Sequence, residues 1–309
     1  MTDRATVVAA ARGTIAHGSH SFAAASKLFA PATRERAWLL YAWCRAADDL
    51  TDGQELGHGA LARPDPFATQ ARLEAWTAAA LDSKEAVPIP FAALRQVARE
   101  TAMPRQFITD HLAGFALDAA DWRPDGEDDL LRYCYHVAGA VGCMMAVVMG
   151  VSPQDDDTLD RACDLGLAFQ LANIARDIVP DARAGRCYLP RQWLAAEGLV
   201  DAELDEPRHR AALARLAARL VELSRPYRSS ARVGAARLPF RSRLAVLAAD
   251  GIYGAIGEQV FVRGERAWDQ RERVSGAGKL VLLGQAAIRS FGTPAPAPRD
   301  GLWTRLRHA

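Results

Sequence analysis

Two acidic motifs of the same spacing occur in the chain, DDLTD at 48–52 and DIVPD at 177–181. Each motif contains two aspartates four residues apart, Asp48 with Asp52 and Asp177 with Asp181. On a helix, residues four apart lie on the same face about one turn apart, so each pair presents two carboxylates on one side. Neighbouring carboxylates repel unless a cation lies between them, and Mg2+ commonly joins a few carboxylates to substrate phosphates. The spacing therefore predicts a Mg2+ site for a diphosphate substrate.

Further polar residues extend the second motif along its helix. Gln170, Asn173, Asp177 and Asp181 follow one another at spacings of three, four and four residues, so they share one helix face. Arg176 lies one residue off this stripe and is placed to reach a phosphate held at Asp177. Taken alone, the stripe is also what the solvent side of an ordinary helix looks like. Its pairing with the first motif favours a functional site.

One arginine and one proline qualify this interpretation. Arg45 lies three residues before Asp48, where a guanidinium forms either a structural salt bridge or a ligand for diphosphate oxygens. Pro180 lies inside the second motif, removes a backbone donor and clashes with the preceding turn. We therefore expect Asp181 at the end of a bent or broken helix.

The elements that must position these residues are helices. Apolar residues recur at three- and four-residue spacing, and no alternating strand pattern of useful length is present. The segments predicted as helices are 21–29, 33–47, 68–81, 90–101, 105–119, 128–149, 157–178, 201–227 and 240–266. The loops between them are not long or biased enough to be interdomain linkers. The sequence predicts an all-α, single-domain helical bundle.

Charge and cysteine content restrict the partners and the compartment. A formal net charge of +1 gives no electrostatic footprint for nucleic acid. Five cysteines, an odd number without a CxxC pair, indicate free thiols in a reducing compartment. The N-terminal stretch lacks the continuous apolar region of a signal peptide. We expect a cytoplasmic protein with no nucleic-acid partner.

One segment, Tyr133–Gln154, contains no Asp, Glu, Lys or Arg and is long enough to cross a bilayer. A large all-helical protein also needs a central helix that is apolar all round, and this interpretation is favoured. A membrane span is the alternative.

The C-terminal end differs from the rest of the chain. GTPAPAP at 292–298 alternates proline with small residues and predicts an extended or disordered segment, which divides a helical domain, 1–291, from a tail, 292–309. Basic residues outnumber acids from Arg263 onwards, and apolar residues are interleaved with them. Two interpretations stay open, a solvated tail and peripheral contact with an anionic membrane surface.

Several motifs together resemble a known family over roughly residues 19–271. They are the Ser-Phe pair at 21–22, YAWCR at 41–45 running into the first acidic motif, YCYHVAGAVG at 133–142, the stretch 170–181, and GRCYLP at 185–190. The chain resembles the squalene and phytoene synthases, which join two prenyl diphosphates head to head. The resemblance implies a class I isoprenoid synthase bundle with a central cavity, in which two aspartate-rich helices face each other and hold Mg2+, with Mn2+ as a substitute.

The resemblance also implies roles for individual residues. The metal ligands, direct or through water, would be Asp48, Asp52, Asn173, Asp177 and Asp181. The residues that bind substrate and stabilise the leaving diphosphate would be Ser19, Ser21, Phe22, Arg45, Tyr133, Gln170, Asn173, Arg176 and Tyr253. The apolar helix around 137–149 would form the wall of a tunnel for the prenyl chains, with small residues such as Gly139 and Gly142 leaving room for them.

The implied reaction joins two geranylgeranyl diphosphates through prephytoene diphosphate to phytoene, the first committed step of carotenoid synthesis. Farnesyl diphosphate, giving dehydrosqualene or squalene, is the nearest alternative, and a non-catalytic helical relative acting as an assembly factor is a further one. No NADPH is expected, and contact with neighbouring carotenoid-pathway enzymes is a further expectation. The catalytic set would be Arg45, Asp48, Asp52, Arg176, Asp177 and Asp181.

Overall fold

The computed structural model describes residues 3–18, 20–52, 65–199 and 203–307, and within them every regular element is a helix. The predicted all-α class is confirmed. The helices are α1 Arg4–Gly18, α2 His20–Ser26, α3 Pro31–Asp52, α4 Pro66–Asp82, α5 Ile89–Thr101, α6 Arg105–Ala119, α7 Glu127–Cys134, α8 Ala140–Val148, α9 Asp156–Arg183, α10 Arg191–Ala196, α11 Arg210–Ala235, α12 Phe240–Arg263 and α13 Gly276–Phe291.

The helices form two compact units, and the boundary between Cys143 and Met144 falls within α8. The first unit comprises Met1–Ala120 and Met144–Asp155. In it, α1, α3 and α5 pack against one another, and α4 packs on α5 and α6. The buried ring of Trp43 on α3 meets His111 on α6 edge-on, with ring centroids 5.5 Å apart. The apolar face of α3 is thereby held in the core of this unit.

The second unit comprises Asp121–Cys143 and Asp156–Ala309, and α9 runs through its middle. Helix α11 packs along α9, α12 contacts both, and α13 packs on α12. Two glycines allow the segment 138–142 to approach α9 closely. A Cβ at Gly142 would overlap the backbone of Ala162, and a Cβ at Gly166 would overlap the backbone of Ala138.

Close packing of this kind corrects one expectation about the small residues. A Cβ at Gly139 would lie 2.9 Å from Cys163 Sγ and 2.9 Å from Leu167 Cδ1. Gly139 and Gly142 therefore allow two helices to touch, and the idea that they leave room for a prenyl chain is wrong.

The charge-free segment begins in the last two residues of α7 and continues through a π-helical turn at Tyr135–Gly139 into α8. Glu127–Val148 and Phe240–Arg266 are each long and apolar enough to cross a membrane by length and composition. Their most apolar windows are 67% and 50% buried inside the structure, respectively. Burial of this extent favours the interpretation of the first segment as a packed helix.

Several helix boundaries differ from the sequence predictions. Helix α6 has the predicted bounds. Helix α9 continues through Pro180 to Arg183, so it does not break at the proline, and Asp181 lies in its last turn as expected. The indole nitrogen of Trp268 donates to the carbonyl of Ala175 at 3.2 Å and supports the helix one turn before the proline. Helix α11 begins at Arg210 and not at 201, and helices α1, α10 and α13 were not predicted.

The C-terminal segment 292–307 contains no helix or strand and lies against the first half of α9. Arg299 Nε donates to Asp164 at 2.8 Å, and Arg307 Nη2 donates to Asp160 at 3.0 Å. The backbone N–H of Trp303 donates to the hydroxyl of Tyr227 on α11 at 3.2 Å. Part of the positive charge of this segment is therefore neutralised within the chain.

Candidate active site

The first acidic motif ends helix α3. Arg45 lies beside it, with Nη1 3.9 Å from a carboxylate oxygen of Asp48 and 3.9 Å from one of Asp49. Its Nε donates to the hydroxyl of Tyr41 at 3.4 Å, and its guanidinium lies over the Tyr41 ring. A separation of 3.9 Å is longer than a hydrogen bond, and the side chain of Asp48 is partly exposed.

The second motif lies in the last two turns of α9, where two guanidinium groups contact one carboxylate. Arg176 Nε donates to Asp177 at 2.9 Å and its Nη2 donates to the second carboxylate oxygen. Arg271 Nη2 donates to the same oxygen at 3.1 Å. Burial alone would raise the pKa of Asp177, but these two cations lower it below its usual range. Asp177 is thus a fixed negative charge.

Asp181 lies one turn further along the same helix in a different electrostatic environment. Burial and then the neighbouring carboxylate of Asp177 raise the pKa of Asp181 to about 7, against the opposing charges of Arg186, Arg176 and Arg271. A half-buried carboxylate with a raised pKa is short of positive charge, and an added cation would favour its ionised form.

Aromatic rings lie close to these charges. Phe169 on α9 and Tyr253 on α12 are stacked with centroids 4.0 Å apart, and the charge of Arg176 acts on the Tyr253 hydroxyl. Tyr133 is buried and stacks on Tyr188 at 4.9 Å. Asn173 donates to Gln170 at 3.4 Å, as expected for residues that share a helix face.

Some predicted site residues lie in the first unit, others lie in the second, and the rest fall outside the described part of the chain. The first unit brings together Arg45 and Asp48. The second unit holds on α9 and α12 the residues Gln170, Asn173, Arg176, Asp177, Asp181 and Tyr253. Ser19 and the side chains of Ser21, Phe22 and Asp52 lie outside the described residues. That the two motifs face each other stays a prediction.

The sequence predictions missed two basic residues beside the second motif and one acid in the first motif. Arg271, which follows Asp177 by 94 positions, had no local signal. Arg186 lies in the GRCYLP motif and was quoted only as part of the resemblance. Asp49 is the middle acid of the first motif, and its contact with Arg45 could have been found from its four-residue spacing.

The metal that the sequence predicts for these carboxylates is Mg2+. Within the described residues, no group of three or more His, Cys, Asp or Glu side chains is arranged to hold a metal ion. Mg2+ usually takes one or two carboxylates and completes its shell with waters and phosphates. The paired carboxylates of Asp177 and Asp181, one of them short of positive charge, fit this requirement.

The chain is similar to known proteins over most of its length. The sequence model of the squalene/phytoene synthase family matches residues 15–277. A 15-cis-phytoene synthase from Enterobacter agglomerans is 50% identical over 93% of this chain and 98% of its own length. Proteins of the same name from Pantoea ananas and a Paracoccus species are 48% and 49% identical, each alignment covering 96% of the relative's length and 94% and 96% of this chain.

Solved structures show the same fold. A dehydrosqualene synthase superposes with a TM-score of 0.80 at 26% identity, covering 91% of this chain and 95% of that one. A squalene synthase from Alicyclobacillus acidocaldarius gives 0.73 at 22% identity over 84% and 94% of the two chains. The fold is that of the all-α isoprenoid synthases. Within this class, the chain belongs to the squalene/phytoene synthase family.

Proposed function

We propose that this protein is a phytoene synthase that condenses two geranylgeranyl diphosphates and releases both diphosphates. The observation that carries the proposal is the near-full-length identity of 50% with a 15-cis-phytoene synthase. The acidic helix of the second unit supports it, because paired carboxylates and arginines suit a diphosphate leaving group. A fifteen-carbon substrate is the second candidate, favoured by the structural match to a dehydrosqualene synthase.

The residues that would hold Mg2+ are Asp48, Asp52, Asn173, Asp177 and Asp181. When bound, the metal supplies positive charge that stabilises departing diphosphate. Arg176 and Arg271 already contact the Asp177 carboxylate, and guanidinium groups bind carboxylate and phosphate oxygens in the same planar way. Substrate diphosphate would therefore take over hydrogen bonds that now go to Asp177.

The reaction then needs charge stabilisation and dry surroundings more than a covalent nucleophile. One substrate loses diphosphate from its allylic carbon, and the C2–C3 double bond of the other attacks that carbon, giving a cyclopropane and releasing a proton. Loss of the second diphosphate, rearrangement and loss of another proton give phytoene. Apolar and aromatic side chains such as Phe169 and Tyr253 exclude water from the cations.

The first experiment supplies purified protein with Mg2+ and geranylgeranyl diphosphate, without a nicotinamide cofactor, and analyses the organic extract. A forty-carbon hydrocarbon is expected. A thirty-carbon product formed only from farnesyl diphosphate would keep the mechanism and change the substrate. No product from either would favour the non-catalytic relative.

Asp177→Asn should lower turnover by roughly a hundredfold or more, because charge stabilisation of the leaving group is lost. Asp128→Asn on the exposed side of α7 is the matched control.

We further propose a cytoplasmic location, peripheral to the inner face of the membrane. All five cysteines are free, which suits a reducing compartment. Contact with neighbouring pathway enzymes stays a prediction.

A further inference from the structure

Helix α13 presents an apolar face to solvent. Leu280 is 71% exposed, Ile288 76% and Phe291 80%, and Val281 is also exposed. Their spacing places them within about 100° of arc around the helix, at 100° per residue. The opposite face packs on α12 through Ala286 and Ser290, which are buried. A helix at the surface of a globular protein normally presents polar residues outward, so this face is suited to an apolar surrounding.

The apolar surface continues from the end of α13 onto the start of α12. The ring of Phe291 lies 5.1 Å from that of Phe240, and both side chains are exposed. We call the exposed residues Leu280, Val281, Ile288, Phe291 and Phe240 the apolar strip. Contiguous exposed apolar surface of this kind marks a contact site more often than isolated residues do.

A groove lined by arginines borders the strip. Its cavity volume is about 380 Å³, and Arg232, Arg243 and Arg289 line it together with Ile288 of the apolar strip. The lining contains no aspartate or glutamate. The carboxylate nearest in the hydrogen-bond network, Asp250, accepts from Arg232 at 2.8 Å but also from Arg228 at 2.7 Å. The groove therefore carries an excess of positive charge.

One guanidinium of the groove lacks a partner that it needs. Arg243 donates to the backbone carbonyls of Ser290, at 3.0 Å, and Ala236, but its Nε is buried and has no hydrogen-bond partner among the described residues. A buried donor without an acceptor costs free energy, and an anion in the groove would supply the acceptor once the Arg243 side chain turned towards it. Arg289 has no ion-pair partner in the described part of the chain and is exposed at the same groove.

The surrounding sequence has the same sign of charge. Residues 273–299 contain Arg273, Lys279, Arg289 and Arg299 and no aspartate or glutamate. Arg299 is paired with Asp164 on α9, so the remaining basic residues accompany the apolar strip. An apolar helix face next to basic residues matches the interface of a bilayer that contains anionic lipids.

We propose that the apolar strip and the arginine groove form a docking surface for an anionic phospholipid bilayer. The apolar strip enters the boundary between headgroups and acyl chains, and the groove binds lipid phosphate through Arg232, Arg243 and Arg289. Guanidinium groups suit phosphate because they bind two of its oxygens at once. This docking goes beyond the proposed reaction and does not depend on the length of the prenyl substrate.

Vesicle sedimentation of the full-length protein tests the proposal. Wild-type protein should sediment with vesicles of phosphatidylcholine and phosphatidylglycerol, and remain in solution with phosphatidylcholine alone. Arg289→Glu should weaken binding to the anionic vesicles by roughly tenfold or more, since each basic residue near the surface contributes to the attraction. The double change Ile288→Ser with Phe291→Ser should weaken it by a similar factor, through lost apolar burial.

Two matched controls separate this surface from general charge and hydrophobicity. Arg99→Glu changes an exposed arginine on α5, and Phe67→Ser changes a phenylalanine on α4 that is 67% exposed. Both should bind vesicles as wild type does. All four variants should keep the wild-type melting temperature and the turnover of detergent-dispersed substrate, because the altered side chains are exposed and outside the active site.

Four results would overturn the proposal. They are absence of wild-type binding to anionic vesicles, equal binding to both vesicle types, unchanged binding by the Arg289 and Ile288/Phe291 variants, and an equal loss in the controls. If Arg289→Glu weakens only the binding of inorganic phosphate, the groove is a site for soluble anions. If the Ile288/Phe291 variant converts a dimer into a monomer in sedimentation velocity, a second copy of this chain covers the strip.

Discussion

At the scale of single residues, Arg271 is the main addition that the structure makes to the second acidic motif. Its guanidinium contacts Asp177 at 3.1 Å, although it lies outside α9. Arg271→Gln should raise KM for the prenyl diphosphate and lower kcat/KM by roughly tenfold, because one charged hydrogen bond to diphosphate is lost. Steady-state kinetics in detergent would measure this. Arg266→Gln, at another exposed arginine, should leave both constants unchanged, and an equal effect in the two variants would contradict a role for Arg271 in binding.

The carboxylate of Glu100 makes the stability of the first unit depend on pH in acid. Hydrogen bonds from Arg4, and then from Gln96 and Arg36, lower the pKa of Glu100 to about 2, against the opposing effect of burial. Since the folded-state pKa is below the ordinary value of 4.5, the stabilisation is complete above that pH and is lost as pH falls through about 2.

Glu100→Gln should therefore lower the free energy of unfolding by about 1 kcal/mol at pH 7, with the partly exposed ion pair discounted for solvent screening. The difference from wild type should shrink as pH falls towards 2. Urea unfolding at neutral and acid pH measures both values. A difference that stays constant with pH would show that the carboxylate contributes packing and not charge.

At the scale of elements, α9 is the helix on which both the site and the C-terminal segment depend. Asp164 on α9 is fully buried, accepts from Arg299 at 2.8 Å and 2.9 Å, and also accepts from Ser230. Burial raises the pKa of Asp164 despite these partners. Without Arg299 the carboxyl group would take up a proton and not remain charged, which limits the loss.

Arg299→Gln should therefore destabilise the protein by about 2 kcal/mol, below the usual loss for one partner of a buried ion pair. Asp164→Asn combined with Arg299→Gln should recover part of this, since an amide needs no proton from neutral solution to become uncharged. Thermal unfolding of the two variants compares them. A double variant less stable than Arg299→Gln would show that Asp164 acts through another contact.

The same helices show which parts of the structure the sequence could predict. The bounds of α6 followed from its periodicity and from Pro104 before its first turn, because these signals are local. Helix α13 was not predicted because it contains three glycines, which are weak helix formers, and because the apolar face of this helix is the exposed one. Spacing correctly placed four polar residues on α9, namely Gln170, Asn173, Asp177 and Asp181. The pairs of Arg271 with Asp177 and of Arg299 with Asp164 could not be predicted from spacing, because their residues are 94 and 135 positions apart.

At the scale of the whole molecule, the C-terminal segment connects the end of the chain to the helix that carries the second motif. Arg299, Arg305 and Arg307 meet a row of acids on the first half of α9, namely Asp156, Asp160 and Asp164. The three acids are spaced four residues apart, so they lie on one helix face and repel one another when the arginines are absent. Residues 292–307 thus compensate charge on α9, in addition to extending beyond α13.

A chain that ends at Phe291 should therefore be less stable and less active than the full chain. Removing the segment leaves the buried carboxylates of Asp160 and Asp164 without their arginines. It also exposes the ring of Tyr135, whose centroid lies 5.4 Å from that of the Trp303 ring. We expect the melting temperature to fall by roughly 5 to 10 °C, as for a loss of several kcal/mol in a protein of this size. Turnover at the growth temperature should fall with it, because α9 also holds Asp177 and Asp181.

Arg307→Gln, which removes one half-exposed guanidinium, should change the melting temperature little. A truncated chain with the wild-type melting temperature would show that 1–291 is independent of its tail and that the ion pairs on α9 contribute no net stability.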